Sequence, residues 1–142
     1  MMKTLAAAVV VGAFIGAVAL LPAAGASESE TRATAAALSW LALIDSGRYA
    51  DSWRDASAYF RRAITEKGWE NSLHVARDAL GKVLSRNVQV TKEAVSLPGA
   101  PDGHYVVIQL NTSFVSKASA IETVTFSLEQ DGQWRAAGYY IR

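Results

Sequence analysis

What most restricts the fold of this chain is a change of period at Gly81. Before it, apolar residues recur at steps of three and four. After it, they recur at every second position. The first spacing lines up one stripe of a helix and the second lines up one face of a strand. Helices therefore come first and strands follow, the order of an α+β domain rather than of alternating βαβ units.

On the helical side, Ala33, Ala37, Trp40, Leu41 and Ile44 predict a helix over 31–46, stopped by Gly47. A second helical stretch begins near Tyr49 and carries Ala50, Trp53, Phe60 and Ile64, with a kink expected at Ser57. Trp69, Leu73, Ala76 and Leu80 mark a third, with Thr65 as N-cap and Gly81 as stop. On the strand side, Val88 and Val90 are in phase while Val95 and Leu97 are not, which predicts a bulge between Lys92 and Ala94. Leu97-Pro-Gly-Ala-Pro-Asp-Gly103 is a loop. Val106, Ile108, Leu110, Thr112 and Phe114 share one face of the next strand. Ala120, Glu122, Val124, Phe126 and Leu128 share one face of the third. Asp131-Gly132 predicts a two-residue primed hairpin, and Gly138 a bend or bulge in the last strand, Trp134 to Ile141. The expected architecture is a bent four-stranded antiparallel sheet with the N-terminal helices packed in its concave side.

Ahead of this pattern, Lys3 precedes an uncharged run from Leu5 to Leu21, followed by Pro22-Ala-Ala-Gly-Ala26. A basic start, an apolar run and small residues at Ala24 and Ala26 are the parts of a cleavable export signal. Residues 1–26 are read as the leader and 27–142 as a single domain. The chain is expected in the periplasm or the medium, meeting a membrane only through the leader before cleavage. An uncleaved anchor is the competing reading.

Of the 14 basic residues, Lys3 lies in the leader, which leaves 13 against 13 acidic ones. The basic residues are dispersed, so nucleic acid is not an expected partner. With no cysteine in the chain, disulfides, thiolate metal sites, a thiol nucleophile and a lipid-modified cysteine are excluded.

Ser52-Trp53, Trp69, Arg77-x-x-Leu80-Gly81, Ser85-Arg86, the Leu97–Gly103 loop, Glu122-Thr-Val124 and the ending Asp131-Gly-x-Trp134-Arg135-x-x-Gly138-Tyr139 together resemble the domain-of-unknown-function 4019 family. The resemblance runs from about Ala33 to Ile141. It implies an exported bacterial protein and supplies no catalytic residues. The order of elements is also similar to the nuclear-transport-factor-two-like and cystatin-like cones, folds that host enzymes, carriers and dimerisation modules alike.

Glu122 shares parity with Ala120, Val124, Phe126 and Leu128 and so points toward the expected interior. A buried carboxylate needs a partner, and Lys117, Arg77 and Arg86 are the candidates. Such a group could move a proton, with His74 as a helper, or serve as a structural ion pair. His74 lies beside its helical stripe and His104 follows a loop glycine, so neither is placed as a base. Two distant histidines without a carboxylate at ligand spacing make a metal site improbable, and no cofactor is expected. Trp53, Trp134 and Tyr139 could line a pocket, while Trp40 and Trp69 read as core. Of Tyr139 and Tyr140, adjacent on a strand, one must face outward. The expected function is a non-enzymatic binding or interaction module, with a protein partner, a second copy of itself or a small apolar ligand on the sheet's open side. The alternative is a cone enzyme using Glu122 for proton transfer.

Overall fold

The computed structural model of the chain describes residues 25–142. The apolar run of the expected leader lies outside these residues. Among the described residues, no helix is long and apolar enough to cross a membrane.

Helix α1 (Glu28–Asp45) starts at a capping box, in which the Ser27 hydroxyl accepts from the Glu30 N–H and the Glu30 carboxylate accepts from the Ser27 N–H. It buries the expected stripe of Ala33, Ala37, Trp40, Leu41 and Ile44. The second helical stretch is two helices rather than one with a kink. α2 (Tyr49–Arg54) stops at Asp55, and Ser57 caps a new helix, α3 (Ala58–Ala63), by accepting from Phe60 N–H. The cause is local: the Ser57 hydroxyl offers the backbone a better start than continuation, and its own N–H is held by the carbonyl of Ala136, 2.8 Å away on the last strand. α4 (Glu66–Leu80) is capped by Thr65 and ends at Gly81, as expected.

The four strands, β1 (Val83–Ala94), β2 (Tyr105–Phe114), β3 (Lys117–Leu128) and β4 (Trp134–Ile141), form an antiparallel meander in the order β1-β2-β3-β4. Helix α1 touches every strand of the sheet. Val106, Ile108, Leu110 and Phe114 of β2 and Ala120, Val124 and Phe126 of β3 are buried on the helix side. Trp40 sits at the centre, stacked on Trp69 at 5.9 Å and edge-on to Phe60, Phe126 and Tyr139. Its indole N–H donates to Ser52 O at 2.7 Å, and that of Trp69 to Ser52 Oγ at 2.9 Å. Both rings are core, as their helical spacing predicts.

Two strand details differ from expectation. The bulge in β1 is not between Lys92 and Ala94 but at Gln89, where the register passes from Val88 opposite Leu110 to Val90 opposite Gln109. Val88 and Val90 therefore lie on opposite faces, and Thr91 turns inward to donate to Glu30 of α1. A second irregularity lies at Leu84. The β3–β4 connection is not a two-residue primed turn either. Glu129 N–H donates to Gln133 O and Gly132 N–H to Glu129 O, and only Gly132 has positive φ. This is a type I turn closed by a glycine bulge, stable without the positive φ that a primed turn would demand of Asp131. At Gly138 the expected irregularity is present: Ala137 is the extra residue between the Phe126–Ala136 and Thr125–Gly138 pairs. It leaves Tyr139 facing the helices and Tyr140 facing away.

Candidate functional site

Glu122 is fully buried on the helix-facing side of β3, as its parity predicts. Water cannot solvate a carboxylate there, so the chain must. Thr112 of β2 donates its hydroxyl to Oε1 at 2.5 Å. The Tyr139 hydroxyl of β4 donates to Oε2. Arg86 of β1 donates Nε–H to Oε1 at 2.7 Å and Nη2–H to Oε2 at 3.3 Å. A guanidinium suits this position because its planar fork meets both carboxylate oxygens together.

Arg86 then reaches a second carboxylate at the end of α1, donating to Asp45 through Nη1 at 2.7 Å and Nη2 at 3.0 Å. Arg77 of α4 donates to Asp45 through Nη2 at 2.7 Å. Two acids and two bases thus form one neutral chain that, with Thr112 and Tyr139, ties α1, α4 and all four strands together. The guanidinium of Arg77 lies 5.1 Å from the centroid of the Phe114 ring, while its Nε and Nη1 have no hydrogen-bond partner among the described residues. The ring's electron-rich face offsets part of that deficit.

The electrostatics follow from the geometry. Burial alone would raise the pKa of Asp45, but hydrogen bonds from Arg86 and Arg77 overcome it and hold the carboxyl below its ordinary value. Burial would lower that of Arg86, and the hydrogen bonds to Asp45 and Glu122 reverse this. Tyr139 is pushed well above its ordinary value, first by burial and then by the charge of Glu122.

Glu122, Arg77 and Tyr139, singled out by sequence, therefore meet in one network, and Arg86 is the direct partner. Lys117 is not in it: it opens β3 opposite Phe114 and makes no ion pair among the described residues. Trp53 donates its indole N–H to Ile64 O at 2.8 Å, holding the short helices together. Trp134 packs against His104 at 5.1 Å, away from the network. Sequence reasoning missed Asp45 and Thr112. The signal for Thr112 was its place as a polar residue on an inward strand face. Asp45 carried no comparable mark, since it joins only when α1 crosses β1. Neither histidine reaches Glu122. His74 Nδ1 lies 3.1 Å from Asp78 on the exposed side of α4, and His104 Nε2 lies 3.1 Å from Glu93.

Two open depressions mark the surface. One, of about 410 Å³, lies between α1 and the β3–β4 hairpin, with Trp40, Leu43, Phe126 and Trp134 at its floor and Ser39, Asp55, Gln133 and Arg135 around it. The other, of about 350 Å³, lies where α1 and α4 end and is lined by Asp45, Tyr49, Arg77, Asp78 and Lys82. Glu122 lines neither. Among the described residues, no group of three acidic or histidine side chains is arranged to hold a metal ion.

A meander sheet wrapped on N-terminal helices, with a buried polar network at its centre and shallow depressions at its surface, defines the class: a small α+β domain. Residues 36–139 match the family described as a protein of unknown function, domain-of-unknown-function 4019, and the chain belongs to that family. No curated protein and no solved structure matches it.

Proposed function

We propose that the chain is exported behind a cleavable leader and acts in the periplasm or the medium as a non-enzymatic binding module. The observation that carries this reading is the depression between α1 and the β3–β4 hairpin, where aromatic side chains form a floor within a polar margin. That is the composition of a recognition surface: apolar area for affinity, a few polar groups for orientation. Glu122 supports the same reading. Its oxygens are engaged by Thr112, Arg86 and Tyr139, and it lines neither depression.

The occupant is a small apolar molecule or an apolar segment of a partner protein. Native mass spectrometry of the protein recovered from its own cell envelope tests this. The expected spectrum shows added mass from a bound molecule or polypeptide. Ser39→Trp, which sets an indole over the depression from an exposed position, is expected to remove that mass without changing the unfolding temperature. Added mass that survives Ser39→Trp places binding elsewhere. Turnover of a small substrate that Glu122→Gln abolishes while the fold is kept would establish the proton-transfer alternative instead.

A further inference from the structure

The end of the sheet farthest from the β3–β4 hairpin is built from two connections laced together. Val115 N–H donates to Lys82 O at 2.9 Å, and Ser116 N–H to Leu80 O at 2.9 Å. This joins the entry to β1 to the turn between β2 and β3. Leu84 and Val115 each stand one residue from the Val83–Phe114 pair, so both lie at this end. They are 66% and 62% exposed, although nothing in the turn chemistry calls for a large aliphatic side chain at either position. Lys82 enters β1 two residues before Leu84, and Lys117 leaves the turn two residues after Val115. Among the described residues, neither lysine makes an ion pair. The nearest acidic residue along these elements, Asp78 on α4, faces His74 at 3.1 Å.

Exposed aliphatic tips flanked by ammonium groups match a lipid surface with anionic headgroups. The aliphatic groups enter the headgroup boundary while long lysine stems keep their charges at phosphate level. A second copy of the chain fits less well. Two side chains are far from the roughly 800 Å² per partner that a stable interface buries, and a two-fold axis at this end would bring lysines toward lysines.

We propose that Leu84 and Val115, with Lys82 and Lys117, form a tip that docks the folded domain on an anionic bilayer. The leader accounts for membrane contact only until it is cleaved, whereas this tip belongs to the domain and acts afterwards. It does not depend on what fills the depression at the hairpin.

The test is flotation of the exported protein with vesicles of phosphatidylcholine alone or mixed with phosphatidylglycerol. Binding is expected with the mixed vesicles and is expected to weaken steeply with salt. The pair Lys82→Glu and Lys117→Glu should abolish the preference for phosphatidylglycerol, at about fivefold in partitioning for each charge removed. The pair Leu84→Ser and Val115→Ser should lower binding at least about tenfold at unchanged salt dependence. Lys82, Leu84 and Val115 are exposed and Lys117 is half-buried, and none of the four makes an ion pair among the described residues, so circular dichroism should show each variant folded. No binding to the mixed vesicles overturns the proposal, as does binding that neither pair of substitutions alters. A doubled solution mass that Leu84→Ser and Val115→Ser abolish assigns the tip to self-association instead, and overturns it equally.

Discussion

Glu122 and Arg86 show how a charge pair can be indispensable once present without adding net stability. Moving both groups from water into the protein is costly, and their attraction returns roughly that cost; removing only one leaves the other uncompensated. Glu122→Leu is therefore expected to destabilise the domain by about 3–5 kcal/mol, and Arg86→Met by a similar amount. The double variant should be clearly less unstable than the sum, which urea denaturation of all four proteins measures. Tyr139 gives the network a pH limit. Its folded pKa is raised above the ordinary 10.0, so the fold favours the neutral phenol. That contribution is complete below the unfolded value and is lost as pH climbs past it. Stability should fall above about pH 10, and Tyr139→Phe, weaker at neutral pH for want of the hydroxyl, should flatten the fall. Asp45 acts at the opposite limit. Its folded pKa is depressed below 3.8, so its contribution is present above that value and lost as pH drops through the folded one. Asp45→Asn should remove that part of the acid slope in pH-dependent thermal melts.

Elements meet at positions that tolerate only one residue type, and Gly81 is the clearest. Its φ of 76° and ψ of −162° lie in a region open essentially to glycine, and an added Cβ would come within 3.2 Å of Val115 Cβ. Gly81→Ala is expected to cost about 2–3 kcal/mol. Adding Val115→Ala should recover almost nothing, because alanine keeps the Cβ that is met and the backbone strain remains; thermal melts of the wild type and the two variants decide it. Gly81 was also the most legible point of the sequence, since the period changes there and a helix stop coincides. The stripes of α1 and α4, the caps Thr65 and Gly47, and the inward face of β3 were readable for the same reason: each repeats a local rule over several residues. β1 was not. It lies at the sheet edge with little apolar content to fix its phase, and its bulge at Gln89 is settled by Thr91 meeting Glu30, sixty-one residues apart. The hairpin at Asp131-Gly132 was misjudged because one glycine serves two turn types, and the pairing of Glu129 with Gln133 decides between them. At the candidate site, Glu122, Arg77, Arg86 and Tyr139 were within reach of parity and charge arguments. Asp45 required knowing where α1 crosses.

At the scale of the molecule, the main core cluster surrounds Trp40, with members from α1, α3, α4, β2, β3 and β4, and a smaller one of Leu97, Tyr105 and Ala137 has Ala94, the last residue of β1, packed against it. No residue of β1 belongs to the main cluster, and none of the twelve residues of β1 is buried. The strand is held by its ladder with β2 and by side chains that cross from it: Arg86 to Asp45 and Glu122, and Thr91 to Glu30. A hydrogen-bonded strand with little buried apolar surface opens at a lower free energy than the core it borders. Amides of β1 that donate to β2 should therefore exchange by local opening, well ahead of those shared by β2 and β3, which should exchange only on global unfolding. The charge network adds a side-chain link from β1 to β3 and α1. Arg86→Met should thus accelerate exchange in β1 beyond the effect of lower global stability, and so widen its separation from β2 and β3. Hydrogen exchange followed by mass spectrometry reads both. Equal protection across all four strands would mean that the ladder alone makes β1 part of the cooperative unit, and that the charge network connects elements without anchoring the edge.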